Sequence, residues 1–163
     1  MQNNAKAPIQ VETHFIITEV IDGDSIKVSS IFNKDEKEIR LYGIDCPENK
    51  YNRKMVEDEK KLHTPAQLLL GLGQEAHKFV LSVAPVGTSV TLQIEKGNEL
   101  DHYKRHLAYV ILPDGSCLNE TIVANGYARA TGDYYCAELP KYQALQLRAM
   151  QKKQGLFKYI SRL

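Results

Sequence analysis

The sequence predicts an α+β domain, mainly β, built from five short strands and three α-helices. Two observations predict it. Apolar and polar residues alternate over several short runs bounded by Gly, Asp and Pro, and three longer runs carry apolar residues near helical spacing between helix start and stop signals. The length of 163 residues suits a single core, and 43% hydrophobic with 25% charged residues describes a globular chain, not a disordered or fibrous one.

Residues 1–12 read as a flexible N-terminal arm and residues 13–163 as one domain. Residues 13–28 are rich in β-formers. His14-Phe15-Ile16-Ile17 leads to a turn at Asp22-Gly23, and Ser25-Ile26-Lys27-Val28 alternates beyond it. Ile39 and Leu41 alternate with Arg40 and Tyr42 in a third strand, and the short connections make the three a meander. Residues 49–72 form an extended loop, charged between Lys50 and His63; a solvated loop and a substrate-gating loop both fit it. The first helix begins at Thr64-Pro65, an N-cap residue followed by Pro at the first helical position. It runs towards Val83 on a stripe of Leu68, Leu69, Leu72, Ala76, Phe79 and Val80. Gly71 and Gly73 weaken its first half, so a start near Gln74 is the alternative. Residues 90–94 and 107–111 are the fourth and fifth strands, the latter ended by Pro113-Asp114-Gly115. The second helix spans residues 118–125 and closes at Gly126. The third spans about residues 139–154, with Pro140 in its first turn, Gly155 as its stop, and Tyr142, Leu145 and Ala149 on its buried stripe.

No apolar run reaches the length of a membrane span, and the polar first eleven residues lack the apolar stretch of a signal peptide. Cys46, Cys117 and Cys136 are odd in number and form no C-x-x-C pair. The net charge of +1 excludes binding to a polyanion by overall charge. A nucleic acid would need a local patch, for which Arg40, Lys104, Arg105, Arg129 and Lys141 are candidates; Lys152, Lys153, Lys158 and Arg162 read as a solvated helix end. His102 and His106 are four apart, but the surrounding strand pattern argues against a helical zinc site.

The chemistry concentrates in the run Arg40-Leu41-Tyr42-Gly43-Ile44-Asp45-Cys46-Pro47-Glu48, which places a fixed cation and two carboxylates at the end of a strand. Asp22 and Asp24 stand upstream, two apart and so on one face of an extended segment. Arg105 stands downstream. Carboxylates for a hard metal ion together with two arginines are what phosphodiester cleavage requires: the metal polarises a phosphoryl oxygen, and guanidinium forks neutralise charge developing in the transition state.

Five segments in order, V-I-D-G-D-S from Val20, R-L-Y-G-I-D-C-P-E from Arg40, D-H-Y-K-R-H-L-A from Asp101, L-P-D-G-S-C-L-N from Leu112 and N-G-Y-A from Asn125, resemble the staphylococcal-nuclease (thermonuclease) family over about residues 13–157. The resemblance implies that the strands close into a five-stranded OB-type Greek-key barrel. It implies Asp24 and Asp45 as direct metal ligands, the Cys46 backbone carbonyl as a third, and Asp22 as a nearby carboxylate that orients water. Oxygen ligands suit Ca²⁺ as the cofactor, whereas a Cys46 thiolate would favour a softer metal. Glu48 is assigned to the attacking water, as general base or as positioning group. Arg40 and Arg105 are assigned to phosphate oxygens, Arg105 on the leaving-group side. Lys104 stands where the family usually has Gly; a Cβ restricts the turn that aims Arg105, and the lysine adds positive charge at the substrate mouth. Tyr103 reaches towards a terminal phosphate, and Tyr134 or Tyr135 stacks on a base.

The implied activity is that of a Ca²⁺-dependent endonuclease that hydrolyses DNA and RNA to 3′-phosphate products and prefers single-stranded or frayed substrate. The protein would be a monomer without a membrane partner; the residues leave its compartment open, and the resemblance favours a secreted or periplasmic one. The alternative is a nucleic-acid- or protein-binding module on the same barrel with catalysis weakened or lost.

Overall fold

The computed structural model describes residues 8–50, 60 and 65–163. Its strands are β1 (Ile9–Asp22), β2 (Ser25–Ser30), β3 (Glu36–Leu41), β4 (Ile44–Asp45), β5 (Ser89–Glu95), β6 (His106–Ile111) and β7 (Arg129–Ala130). Its helices are α1 (Ala66–Val83), α2 (Leu118–Ala124) and α3 (Leu139–Gln151), followed by a 3-10 turn at Gly155–Lys158. Five strands close into a barrel in the order β1-β2-β3-β6-β5, with β5 pairing back onto β1. Only β3 and β6 run parallel among these pairs, which is the closure of an OB-type barrel.

Closure depends on β1 serving two neighbours. Its first half pairs with β5, from Ile9 opposite Glu95 to Ile16 opposite Ser89, and its second half with β2, from Phe15 opposite Ser30 to Asp22 opposite Ser25. Register shifts at Glu12/Phe15, Ile17/Glu19 and Val20/Asp22 bend the strand around the barrel. The expected N-terminal arm is therefore shorter than residues 1–12: its last four residues are strand, and residues 1–7 lie outside the described residues.

Alternation along the strands fills the barrel with Ile17, Val28, Leu41, Leu92 and Val110, all fully buried. α1 closes one end with Ala76 and Val80. Leu68 of the expected stripe is 40% exposed instead. The small cluster Leu69, Leu72 and Leu156 joins α1 to the C-terminal 3-10 turn. α2 is tied to the barrel by the buried side chain of Asn119. Its Nδ2 donates to the Tyr42 and Ala108 carbonyls at 3.1 and 3.2 Å, and its Oδ1 accepts from the Val110 amide at 3.1 Å. None of the described helices is long and apolar enough to cross a membrane.

Three further differences from the sequence reading concern the site. β4 and β7 form a separate two-stranded sheet, pairing Ile44 with Ala130 and Asp45 with Arg129. α1 starts at Ala66 and runs straight through Gly71 and Gly73, so the last residues of the 49–72 segment are helix. Residues 51–59 and 61–64 lie outside the described residues, and with them Thr64 and the solvated or gating loop. α3 ends at Gln151, and Gly155 opens the 3-10 turn.

The two glycines of α1 have different reasons to be there. A Cβ on Gly71 would meet no heavy atom within 4 Å, whereas a Cβ on Gly73 would overlap the backbone carbonyl of Glu48. Gly73 therefore lets the segment carrying Glu48 lie directly against the helix. His77 and Asn49 secure the same junction to β1, contacting the Val20 carbonyl at 2.7 Å and the Ile21 carbonyl at 2.9 Å. Gly71→Ala is expected to raise stability by about 0.5–1 kcal/mol through helix propensity. Gly73→Ala carries the same propensity gain but is expected to lower stability by about 1–3 kcal/mol through overpacking. Urea unfolding of the two variants beside wild type checks the opposite signs.

Candidate active site

The site is built where the β1–β2 turn, the end of β3, β4 and β7 meet. Asp22 closes the turn on itself: its Oδ1 accepts from the Asp24 amide at 3.0 Å and from Ser25 Oγ at 2.9 Å. Gly23 between them is obligatory, because a Cβ there would lie 2.6 Å from Cys46 Sγ and 2.9 Å from Ala76 Cβ. Asp24 then points at the β4 segment. Its Oδ2 accepts from the Cys46 amide at 2.8 Å and lies 3.2 Å from Arg40 Nη2. The same nitrogen of Arg40 reaches Asp45 Oδ1 at 3.1 Å, while its Nη1 donates to the Leu41 and Ile44 carbonyls at 3.0 and 2.8 Å. The Tyr134 ring covers this guanidinium, 3.7 Å from its central carbon. Arg129 holds the other oxygen of Asp45, Oδ2, through Nε at 3.2 Å and Nη2 at 2.8 Å.

Burial pushes the Asp24 carboxyl well above the usual carboxylate range; Arg40 opposes this, and the neighbouring Asp22 and Asp45 charges reinforce it. Burial also acts on Asp22, but hydrogen bonds from Asp24 and Ser25 outweigh it and hold that carboxyl low. For Arg40, burial works against the charge and the two aspartates more than restore it. Burial, reinforced by the three aspartates, pushes the Cys46 thiol well up.

The second arginine is aimed by a tight loop. Asp101 Oδ1 accepts from the Tyr103 and Arg105 amides, both at 2.8 Å, and its Oδ2 accepts from Arg105 Nε at 2.8 Å. Arg105 Nη2 reaches the Tyr134 hydroxyl at 3.2 Å. Lys104 adopts φ 63°, the left-handed conformation that glycine takes without strain. The loop thus keeps the glycine-like backbone with a lysine in it, and the Asp101 hydrogen bonds offset the strain.

These elements enclose a cleft of about 370 Å³. Of the residues expected from the sequence, Asp22, Asp24, Arg40, Asp45, Glu48, Tyr103, Arg105 and Tyr134 line it together. Cys46 lies behind the wall and contributes its amide to Asp24. Lys104 and Tyr135 are exposed but are not among the lining residues. Tyr134 packs on Arg40, whereas Tyr103 at the rim is 72% exposed. Sequence reasoning named Arg129 only as a patch cation, weighed His102 only for a zinc site that the strand pattern argues against, and assigned no role to Asp101 or Asp133. The (i, i+4) spacing of Asp101 and Arg105 was a signal for the first; the Arg129 pairing had none, since it depends on a two-residue ladder.

Asp22, Asp24 and Asp45 offer only oxygen donors and line one cleft together, which fits a hard divalent cation. Among the described residues no three acidic, His or Cys side chains form a ready-made metal cage. Asp24 and Asp45, drawn together on one Arg40 nitrogen, therefore suit an ion that keeps waters in its shell.

Residues 38–159 match the family described as Staphylococcal nuclease homologue. The chain is 33% identical over 125 residues to Endonuclease YhcR of Bacillus subtilis (strain 168), covering 75% of this chain and 9% of that protein. It is 32% identical over 114 residues to Endonuclease YncB of the same organism, covering 70% of this chain and 46% of that protein. It is 32% identical over 114 residues to the SPbeta prophage-derived endonuclease YokF, covering 70% of this chain and 33% of that protein. The chain thus spans less than half the length of these relatives.

Burial pushes the Asp101 carboxyl up, but the hydrogen bonds from Arg105 and the Tyr103 amide outweigh it and hold the group below the usual carboxylate range. A depressed folded pKa contributes stability above the unfolded value, about 3.9, and that contribution is lost as pH falls through the folded value. Asp101→Asn is expected to cost about 1 kcal/mol at pH 7. In urea unfolding across a pH series, the gap to wild type should be constant above about pH 5 and shrink below about pH 4.

Proposed function

Because the chain belongs to the staphylococcal nuclease homologue family, we propose that it is a nuclease, a Ca²⁺-dependent endonuclease that hydrolyses DNA and RNA to 3′-phosphate products. The observation that carries this reading is the convergence of Asp22, Asp24, Asp45 and Glu48 with Arg40 and Arg105 on one cleft. The three relatives, each named an endonuclease, support it.

Asp24 and Asp45 would hold Ca²⁺ with the Cys46 carbonyl, and Asp22 would orient a water beside them. Bound there, Ca²⁺ supplies a Lewis acid for the phosphoryl oxygen. Glu48, held against α1 at Gly73, orients the attacking water and takes its proton as the new P–O bond forms and the P–O bond to the 5′ oxygen breaks, that oxygen leaving as the hydroxyl of the 5′ product with a proton from solvent. Arg105, aimed by Asp101 and Tyr134, neutralises charge that develops on the phosphoryl and leaving oxygens. Arg40 keeps Asp24 and Asp45 together and adds its charge from the floor of the cleft. The substrate strand enters past Tyr103, whose exposed ring offers a stacking face to an unpaired base. Base faces hidden in a duplex cannot use it, which accounts for a preference for single strands and frayed ends.

Cleavage of a labelled single-stranded oligonucleotide is expected with Ca²⁺ and not with chelator. Glu48→Gln keeps the shape of the side chain and is expected to lower kcat by roughly 10²–10⁴ with the fold unchanged. A Glu48→Gln protein that cleaves at the wild-type rate would sink this mechanism. On matched single- and double-stranded oligonucleotides, Tyr103→Ala is expected to weaken single-strand binding by roughly 1–3 kcal/mol and to narrow the difference between the two forms. An unchanged difference would remove Tyr103 from substrate selection.

A further inference from the structure

Three guanidiniums reach the cleft, and they differ in how far the protein already occupies them. Arg40 is 2% exposed. Its two terminal nitrogens serve two carbonyls and two carboxylates, and a tyrosine ring covers its face. Arg105 commits Nε to Asp101 and Nη2 to Tyr134, and its Nη1 lies 3.7 Å from Glu38.

Arg129 is arranged differently. Both of its bonded nitrogens fall on a single oxygen, Asp45 Oδ2, and among the described residues its Nη1 meets no protein acceptor. A quarter of its side chain is exposed, and it lines the cleft. Its position is fixed from both sides: the β4–β7 ladder sets it opposite Asp45, and the Ala130 amide donates to Gln146 Oε1 of α3 at 2.8 Å.

Resting on the nuclease reading, we infer that Arg129 is a substrate-binding residue, presenting Nη1 to a phosphate of a single-stranded nucleic acid beside Arg105. Contact through Nη1 breaks no existing bond of the site, and the remaining fork keeps the side chain rigid, so little side-chain entropy is lost on binding.

The test is equilibrium binding of a fluorescent single-stranded oligonucleotide in chelator across a salt series, with KM and kcat measured in Ca²⁺ alongside. Arg129→Gln is expected to weaken binding and raise KM roughly tenfold, with the salt slope shallower by about 0.7, one phosphate contact on a single strand. Arg129→Lys retains the charge; it should keep most of the slope while losing part of the affinity, and it guards against a Gln variant that does not fold. An unchanged salt slope and KM in a folded Arg129→Gln protein overturns the inference. So does a fall in kcat at constant KM with an unchanged slope, which would make Arg129 an anchor for Asp45 alone. Wild-type protein that neither binds nor cleaves the oligonucleotide refutes the nuclease reading itself, and the inference falls with it.

Discussion

The buried Arg40 guanidinium organises the site, because it brings carboxylates together that would otherwise repel one another. Asp24, Asp45 and the Leu41 and Ile44 carbonyls all fall within reach of its two terminal nitrogens, so one side chain sets the end of β3, the turn after β1 and the short β4 strand in mutual register. A lysine in its place would supply the charge without the planar fork. Burial, opposed by Arg40 and reinforced by the Asp22 and Asp45 charges, leaves Asp24 easier to protonate than an ordinary aspartate. Three carboxylates crowded at the floor of a polar cleft are what a hard cation relieves.

A second buried network supports the first from behind. Glu95 accepts hydrogen bonds from the Tyr109 hydroxyl and from the Ala137 amide at 2.8 Å, and its own amide donates to the Tyr42 hydroxyl at 3.0 Å. Asn98, just beyond, donates to the Tyr135 carbonyl at 2.8 Å, and the Gly43 amide donates to the Tyr134 carbonyl at 2.7 Å. The segment that lays a ring over Arg40 is thereby fastened to the barrel on both sides. This explains why Tyr134 packs inward while its neighbour Tyr135 faces solvent.

The legible parts of this protein were those that short stretches of chain encode. The Arg40 to Glu48 run and the Asp22-Gly23-Asp24 turn carry their chemistry within a few residues, and short β-forming runs bounded by turn residues marked the strands of the barrel. The illegible parts join distant segments. Arg129 meets Asp45 across 84 residues through a ladder too short for any periodicity. Gly73 looked like a helix weakness because propensity is local, whereas its purpose, room for the Glu48 backbone, is tertiary. Lys104 looked like an obstacle for the same reason: the hydrogen bonds that hold it at φ 63° come from the loop's own Asp101 and cannot be inferred from the Cβ alone. Between Tyr134 and Tyr135, adjacent and identical in type, only packing could choose.

The pairing of β4 with β7 has a bearing on how the protein is made. A nascent chain that has emerged as far as Gly126 already contains Asp22, Asp24, Arg40, Asp45, Glu48 and Arg105. It lacks Arg129, the Tyr134 ring and α3, so Asp45 has half its clamp and Arg40 lies uncovered. Synthesis runs from the amino end, so the residues that finish the cleft follow all six of those side chains along the chain. The order of the chain thus makes completion of the cleft a late step relative to the segments that carry these groups.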